Sequence, residues 1–331
     1  ACGTMKDQVS SFAATGKTGP MAAYAIQGYA PKRDEARKPY SGRFFAAFDS
    51  ALAHQHDAAL LEWEQRKDDD LSLYWPKGSK VPQGHEAHQR RPLDQHGYVY
   101  WTDFFNPRQL LVHAQLLKAI ATVGSYEWKI REYVLGAFQQ YLRNQCMFSF
   151  WNPQRDTPEP MFSNNNFHPK TTAIENCVFP ALGRGNWASS IEGIIEGRDW
   201  ALHPWEAVSA EDLRRKDAVL ADGISGKSEK VFPGDPTSDV KVFCGSSTEM
   251  PQLAEASQDL VITDPPFGDL LQYSELADFF YVWLRLVLKD KYPDYFTADY
   301  TPKSLEAVAN KFREPEDPNG FYQRLLTGCW R

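Results

Sequence analysis

A short apolar run that stops at two consecutive prolines sets the strongest limit on how this chain folds. Residues 260–263 read Leu-Val-Ile-Thr, and Asp264, Pro265 and Pro266 follow directly. An unbroken apolar run that ends at proline predicts a strand buried on both faces, as in the sheet of an α/β protein. Ligands of open α/β sheets bind beyond the carboxyl ends of the strands. The pattern therefore predicts that Asp264 lies at a binding site.

The C-terminal half of the sequence supports the α/β class. From about residue 170, short apolar runs alternate with helix-like stretches, which is typical of that class. Ser274 is predicted to cap a further helix, whose apolar residues are predicted to pack in the core. The apolar runs are residues 177–182, 188–196, 199–202, 240–244 and 260–263.

The N-terminal half is predicted to be mainly helical. Apolar spacing predicts a packing helix over residues 43–66. A second helix is predicted to start at the cap residue Asn106 and to end at Gly124, and a third covers residues 127–143. The last two are predicted to form an antiparallel pair. Residues 1–42 lack a sustained period and are predicted to be a loop or a small subdomain.

Composition and cysteine spacing argue against a disordered, disulfide-linked or membrane-spanning protein. The chain of 331 residues is 42% hydrophobic and 14% aromatic, which predicts a packed globular protein large enough for two lobes. Its five cysteines include no close pair, which indicates neither a disulfide framework nor a complete zinc knuckle and favours the cytoplasm. The longest apolar stretch, residues 279–288, is interrupted by Arg285 and is too short to span a bilayer. We therefore predict a cytoplasmic protein without a membrane-spanning segment.

The net charge of −7 does not by itself indicate a protein that binds nucleic acid, because phosphate contacts usually come from an excess of lysine and arginine. Basic residues are nevertheless clustered within residues 32–43 and at Arg90 and Arg91. If the chain binds DNA, it is predicted to use such patches.

Both ends of the sequence look truncated. Cys2 and Gly3 resemble the second half of a Cys-x-x-Cys-Gly zinc knuckle, and the apolar helix predicted around residues 321–326 has no stop signal. We therefore expect a fragment of a longer protein.

Residues 264–267, Asp-Pro-Pro-Phe, have the chemistry to bind and activate an amine; we call them the 264–267 motif. The Asp264 carboxylate and the Pro265 carbonyl form a pair of hydrogen-bond acceptors, and proline brings no competing N–H. Such a pair suits the two N–H bonds of the exocyclic amine of adenine or cytosine. Accepting both hydrogens would free the nitrogen lone pair to attack a methyl sulfonium. Phe267 offers a flat face for a base rotated out of the duplex.

The 264–267 motif, after an apolar strand, resembles the catalytic motif of the amino-group DNA methyltransferases. A longer run from Asp264 to Leu284, together with the upstream run from Trp101 to Leu110, is similar to the large prokaryotic DNA methylases found in phage-defence islands. The resemblance implies a Rossmann-like, S-adenosylmethionine-dependent methyltransferase core with a helical N-terminal region. It divides the chain into a loop-rich and helical insert or subdomain, a helical region and an incomplete catalytic region, at residues 1–97, 98–169 and 170–331.

The same resemblance implies the roles of individual residues. The four residues of the motif would be catalytic, with Asp264 also contacting the S-adenosylmethionine cofactor. Gly245 and Ser246, which follow the predicted strand 240–244, would bind the cofactor as well. Phe267 and Tyr273 would face the target base. A second candidate for the cofactor loop is the glycine-containing stretch 178–186, and no metal is expected because the histidines lack further ligands at suitable spacing.

The implied activity is methylation of the adenine amine in DNA, in restriction-modification or phage defence, since a leading aspartate fits adenine enzymes better than cytosine-amine enzymes. The expected partners are DNA and other defence-system proteins. Two alternatives stay open. The acceptor pair recognises an amine but not the molecule that bears it, so the target could be a cytosine amine, RNA or a protein amide. The chain could also be a non-catalytic DNA-binding or scaffold subunit of a defence complex.

Overall fold

A computed structural model of the protein describes most of the chain. Among the features considered above, Cys2, the basic cluster of residues 32–39, and Arg90 and Arg91 lie outside the described residues. The described residues are 21–31, 40–85, 92–122, 128–155, 157–163, 166–170, 172–179, 185–202, 205–207, 220–222 and 243–330.

Helices dominate the described part of the chain. They are α1 (Ser50–Arg66), α2 (Pro107–Thr122), α3 (Trp128–Leu142), α4 (Trp187–Leu202), α5 (Tyr273–Leu288), α6 (Pro293–Phe296) and α7 (Pro318–Cys329). Short 3₁₀ helices cover Leu93–His96, Trp101–Phe104 and Met161–Ser163. None of the helices in this part of the chain has the length and apolarity needed to cross a membrane.

The strands of the described residues form three separate antiparallel pairs. They are β1 (Ala25–Pro31) with β2 (Tyr40–Ala47), β3 (Phe150–Asn152) with β4 (Thr157–Glu159), and β5 (Trp205–Ala207) with β6 (Leu220–Asp222). The protein is therefore a mixed helical and β structure, and no parallel sheet occurs within the ranges given above.

The helix predicted over residues 43–66 begins later than expected. Its first five residues belong to β2, where Phe44 lies opposite Gly28 of β1. A side chain at position 28 would come within 2.4 Å of the Phe44 ring, so the ring lies over Gly28 in a position that a larger residue would displace. Helix α1 starts after Asp49, whose carboxylate accepts a hydrogen bond from the N–H of Leu52 at 2.9 Å. The remainder of the predicted helix is confirmed.

The two helices predicted around residues 106–143 are confirmed as α2 and α3. Asn106 caps α2, because its side chain accepts from the N–H of Gln109 at 2.9 Å and the Gln109 side chain accepts from the N–H of Asn106 at 3.0 Å. Helix α2 contacts α1 and α3, and α3 in turn contacts α4 and α5. Local capping signals therefore located the helices that build the core.

The core is a cluster of aromatic side chains between α2, α3 and α5. The rings of Phe104 and Phe148 stack at 4.4 Å, and Phe105 stacks on Phe279 of α5 at 5.7 Å. Residues from each of the predicted regions 98–169 and 170–331 thus share one hydrophobic cluster. Its largest fully buried members are Trp101, Phe104, Phe138, Tyr141, Phe148, Phe167, Phe279 and Trp283.

The buried strand predicted at residues 260–263 is wrong for this structure. Leu260, Val261 and Ile262 are 75%, 73% and 84% exposed, and no backbone hydrogen bond joins residues 258–263 to another described segment. The apolar run is present, but a strand forms only where a partner strand is available. Of the other predicted runs, residues 177–179 and 243–244 lie in no strand, and their remainders, 180–182 and 240–242, lie outside the described residues. Residues 199–202 belong to α4.

His113 lies at the centre of the helical core and is fully buried. Its Nε2–H donates to the Gln145 carbonyl at 2.9 Å, and the Tyr141 hydroxyl donates to Nδ1 at 3.1 Å. Burial lowers the pKa of His113 to about 4, and the hydrogen bond to Gln145 offsets only part of that effect. The imidazole is therefore neutral in the folded protein at pH 7.

We expect this histidine to make folding sensitive to acid. In the unfolded chain it takes up a proton below about pH 6.5, whereas in the folded chain it does so only near pH 4, so stability falls as the pH drops between these values. The loss should reach about 3 kcal/mol in urea unfolding across that range. His113→Gln should lack this component, and replacement of the exposed His54 by Gln should retain it. Identical pH profiles for wild type and His113→Gln would rule the effect out.

Candidate functional site

The 264–267 motif lies on the surface, in an extended segment just before α5. The Asp264 side chain is exposed, and Pro265 and Pro266 are half-buried. The Phe267 ring is 64% exposed, and Tyr273, the first residue of α5, is 46% exposed. A carboxylate and two aromatic faces are therefore accessible to a large ligand.

The backbone of this segment is held at two nearby positions, Pro266 and Gly268. The Tyr322 hydroxyl on α7 donates to the Pro266 carbonyl at 2.7 Å. The N–H of Ala309 donates to the Gly268 carbonyl at 3.0 Å. Gly268 has φ +59°, a left-handed conformation that favours glycine, and it turns the chain from the motif toward α5. The motif is thus fixed although its side chains are exposed.

Two acceptors of the motif are left without an internal donor. Among the described residues, no hydrogen bond or ion pair engages the Asp264 carboxylate, and no donor reaches the Pro265 carbonyl. The carbonyl of Pro266, by contrast, is already occupied by Tyr322. Of the two prolines, Pro265 therefore supplies the free carbonyl, and together with Asp264 it can accept two N–H bonds from outside.

The start of α5 is tied to the loop that follows α6. The predicted cap residue Ser274 lies inside the helix, and Gln272 stands at the cap position. Ser274 donates both its N–H, at 2.8 Å, and its hydroxyl to the Glu306 carboxylate. Glu306 also accepts from Arg313 Nη2 at 2.8 Å. The predicted cap at Ser274 is therefore wrong. Glu306, which is distant in the sequence, satisfies an N–H group at the start of the helix that the serine side chain was expected to satisfy.

A buried amide behind the motif connects it to α5. The Nδ2 group of Asn310 donates to Gln272 Oε1 at 2.9 Å and to Glu275 Oε1 at 2.8 Å. All three side chains are buried, and the neighbouring Ala309 holds Gly268. Buried polar networks with satisfied hydrogen bonds fix a single geometry. The first turn of α5 and the motif are therefore positioned together.

One turn further along α5, Asp278 is fully buried and collects three partners from distant parts of the chain. Its carboxylate accepts from the Thr301 hydroxyl at 2.6 Å and lies 2.8 Å from Lys303 Nζ and 3.1 Å from His85 Nε2. Burial raises the pKa of Asp278, but hydrogen bonds from His85, Lys303 and Thr301 outweigh burial and lower the pKa below its usual value. Asp278 is therefore ionised at neutral pH.

Sequence analysis did not identify this cluster. No carboxylate stands at metal-ligand spacing from His85 in the sequence, and the fold brings Asp278 to it. A signal was available: Asp278 stands directly before the apolar run that begins at Phe279, and a carboxylate buried with that run requires a partner. Among the described residues, no group of three or more histidine, cysteine, aspartate or glutamate side chains could hold a metal ion.

The residues predicted to bind cofactor lie in a turn that packs on α7. The Ser246 hydroxyl lies 2.7 Å from the hydroxyl of Thr248. Thr248 approaches α7 at Gly328, which is six residues beyond Tyr322. Six helical residues span about 9 Å, so the turn at Gly245 and the 264–267 motif lie along the same helix. No hydrogen bond within the described residues joins the two segments directly.

The second candidate for a cofactor loop, residues 178–186, is only partly described. Gly183 and Arg184 lie outside the described residues. Gly185 has φ +75° and packs closely on Asn144. Asn186 caps α4 by accepting from the N–H of Ser189 at 2.8 Å. Gly185 and Asn186 of this loop thus form the start of helix α4.

A small cavity of about 80 Å³ lies beside the motif, lined in part by Lys303, Arg313 and Phe321. It has room for a few water molecules, and neither Asp264 nor Phe267 lines it. The exposed face of Phe267 is therefore open surface and not part of this cavity.

No protein-family model, curated protein or solved structure matches this chain. The site must therefore be interpreted from its own residues and geometry.

Proposed function

We propose that this protein is an S-adenosylmethionine-dependent methyltransferase that acts on the exocyclic amine of adenine in DNA. The observation that carries the proposal is the free acceptor pair, the Asp264 carboxylate and the Pro265 carbonyl, next to the exposed ring of Phe267 on an anchored backbone. An exposed carboxylate alone is common on protein surfaces. A carboxylate combined with a free proline carbonyl and a stacking ring suits an aromatic amine.

The chain's own residues have three tasks in this reaction. Asp264 and the Pro265 carbonyl accept the two amine hydrogens, which draws the nitrogen toward tetrahedral geometry and frees its lone pair. Asp264 also lies where the proton lost from the alkylated nitrogen can pass to solvent. Phe267 holds the ring of the base. Bound S-adenosylmethionine supplies the methyl group as an electrophilic sulfonium.

The turn at Gly245 and Ser246 is the proposed cofactor contact. The α-carbon of Gly245 faces open space, so a ligand can approach its backbone without meeting a side chain. The hydroxyl of Ser246 is shared with Thr248 but retains acceptor capacity. Both features fit the edge of an adenosyl group, and Asp264 would contact the same ligand.

The proposal includes a Rossmann-like core within residues 170–331, in the cytoplasm, acting in restriction-modification or phage defence. The support for the core is the sequence alone, in which the apolar run Leu260, Val261 and Ile262 leads into Asp264, as strands of such sheets lead into their ligand sites.

The proposal is tested by methyl transfer from labelled S-adenosylmethionine to DNA, RNA and protein in parallel reactions. We expect label in DNA and, after digestion, on adenine. Label on the cytosine amine, in RNA or on a protein amide would select one of the alternative targets, which the same acceptor pair could serve. Absence of label from all three pools, with cofactor bound, would refute a methyltransferase.

A second candidate function is that of a non-catalytic DNA-binding or scaffold subunit of a defence complex. The observation that favours it is the same exposed apolar run at residues 260–262, since exposed apolar patches commonly mark contacts with other proteins. Titration with S-adenosylmethionine separates the two candidates. Measurable affinity favours the enzyme, and no affinity favours the scaffold.

Phe267→Ala is expected to remove base stacking. Stacking of one base on an aromatic side chain contributes about 1–3 kcal/mol, or roughly fivefold to 150-fold in affinity. Wild type should therefore bind an adenine-rich single strand more tightly than an abasic strand of equal length, and Phe267→Ala should lose that preference in fluorescence anisotropy. Tyr133→Ala, which removes an exposed ring on α3, is the matched control and should retain it. An unchanged preference in Phe267→Ala would exclude this ring as the stacking surface.

A further inference from the structure

The carbonyl groups of Pro265 and Pro266 differ in hydrogen bonding, because helix α7 supplies a donor to Pro266 only. The hydroxyl of Tyr322 donates to the Pro266 carbonyl at 2.7 Å. Tyr322 is half-buried, and among the described residues its side chain provides the one hydrogen bond from α7 to the motif. The Pro265 carbonyl receives no donor in the same part of the chain.

We propose that Tyr322 is a positioning residue for amine methylation, which rests on the function proposed above. The hydroxyl holds the Pro266 carbonyl and so fixes the backbone that directly follows the Pro265 carbonyl, which no described donor reaches. The contact therefore positions the segment whose two free acceptors, the Asp264 carboxylate and the Pro265 carbonyl, meet the amine.

The number of residues between Asp264 and the nearest anchored carbonyl makes this contact important. Besides Tyr322, the Gly268 carbonyl is anchored by Ala309. Apart from the local turn bond between the Leu270 N–H and the Phe267 carbonyl, Asp264 would without the Tyr322 hydroxyl lie four residues from the nearest backbone anchor to another segment, a reach of about 13 Å in an extended chain. A displacement of about 1 Å at a reacting group can lower the rate a hundredfold.

Helix α7 is suited to deliver a fixed hydroxyl. Its first turn is capped by Asp317, whose carboxylate accepts from the N–H of Gly320 at 2.9 Å. Gly320 lies only two residues before Tyr322. The donor thus projects from a capped helix and not from a loop.

Tyr322→Phe removes the hydroxyl and keeps the ring. We expect kcat for methyl transfer to fall between about tenfold and a hundredfold, with the KM values for DNA and S-adenosylmethionine unchanged. The matched control is Tyr300→Phe, which removes a bond of the same kind, from a tyrosine hydroxyl to the Lys80 carbonyl at 2.6 Å, away from the motif. It should leave kcat at the wild-type value. Similar melting temperatures of the two variants would show that Tyr322→Phe is folded.

A second readout does not depend on activity. In protein labelled with ¹³C at proline carbonyls, the Pro266 signal should shift in Tyr322→Phe and stay in place in Tyr300→Phe. A shifted signal with wild-type kcat would overturn the positioning role while leaving the proposed function intact. An unshifted signal would overturn the contact itself. A wild-type protein that binds cofactor but transfers no methyl group would instead refute the proposed function.

Discussion

Asp264→Ala is expected to lower methyl transfer to DNA at least about a hundredfold and to leave the fold intact. Loss of one preorganised hydrogen-bonding group at a reacting centre commonly costs a factor of about 10²–10³ in kcat, and Asp264 would be one of only two such groups. Stability should not change, because the carboxylate is exposed and no described residue pairs with it. The measurement is the single-turnover transfer rate, together with the melting temperature.

Asp259→Ala is the matched control for this variant. Asp259 is also exposed, precedes the same extended segment and has no described partner. Its removal changes the charge as much as the loss of Asp264 does, so the control separates the acceptor role from general electrostatics. Equal rates in Asp264→Ala and Asp259→Ala would mean that Asp264 is not part of the reaction.

Asp278→Ala is expected to destabilise the protein by about 3–5 kcal/mol, the range found when one partner of a buried ion pair is removed. Asp278 is fully buried, and its loss would leave Lys303 and His85 without their shared carboxylate. The Thr301 hydroxyl and N–H would lose their acceptor as well. Because these contacts join α5 to two distant segments, we expect the loss to appear in global urea unfolding.

Asp299→Ala provides the comparison for Asp278. Asp299 also forms an ion pair, with Arg285 at 2.8 Å, but its side chain is 80% exposed. Exposed ion pairs usually contribute less than about 1 kcal/mol, so the free energy of unfolding should hardly change. A loss in Asp278→Ala that is no larger than in Asp299→Ala would show that the buried cluster does not stabilise the fold.

Local signals explain which helices could be predicted from sequence. Helices α2 and α3 were located to within two residues at their described ends because a cap residue, a first-turn proline and one apolar stripe act over a single turn or a few turns. The start of α1 was misplaced because the spacing of Phe44, Phe45 and Phe48 fits a helix as well as a strand. Pairing with β1 makes residues 43–47 a strand, and this pairing is not a local property of the sequence.

Strands depend on partners that an apolar run does not specify. Residues 260–263 have the composition of a buried strand, yet their side chains are exposed because no described strand pairs with them. Conversely, β3 was not predicted, although Phe150 lies opposite Glu159 of β4 and also bridges to Ala173. Its three residues are too few to show a period.

In the candidate site, too, features that are local in the sequence could be predicted and contacts between distant residues could not. The motif could be predicted because its acceptors and its stacking ring stand within four consecutive residues. The groups that hold it in place could not, because they come from distant positions: Tyr322 is 56 residues from Pro266, and Asn310 is 35 residues from Glu275. No spacing rule links residues so far apart, and only the tertiary fold brings Asn310 to α5 and Tyr322 to the motif.

The claim that the 264–267 motif forms a site for amine methylation is best tested on the wild-type protein with S-adenosylmethionine that carries a trideuteromethyl group. After reaction with DNA, the nucleosides are released and identified by mass spectrometry. We expect the label on N6 of deoxyadenosine, because Asp264 and the Pro265 carbonyl accept hydrogens from an exocyclic amine. Label on a ring carbon, or cofactor binding without label in DNA or in parallel reactions with RNA and protein, would contradict the claim.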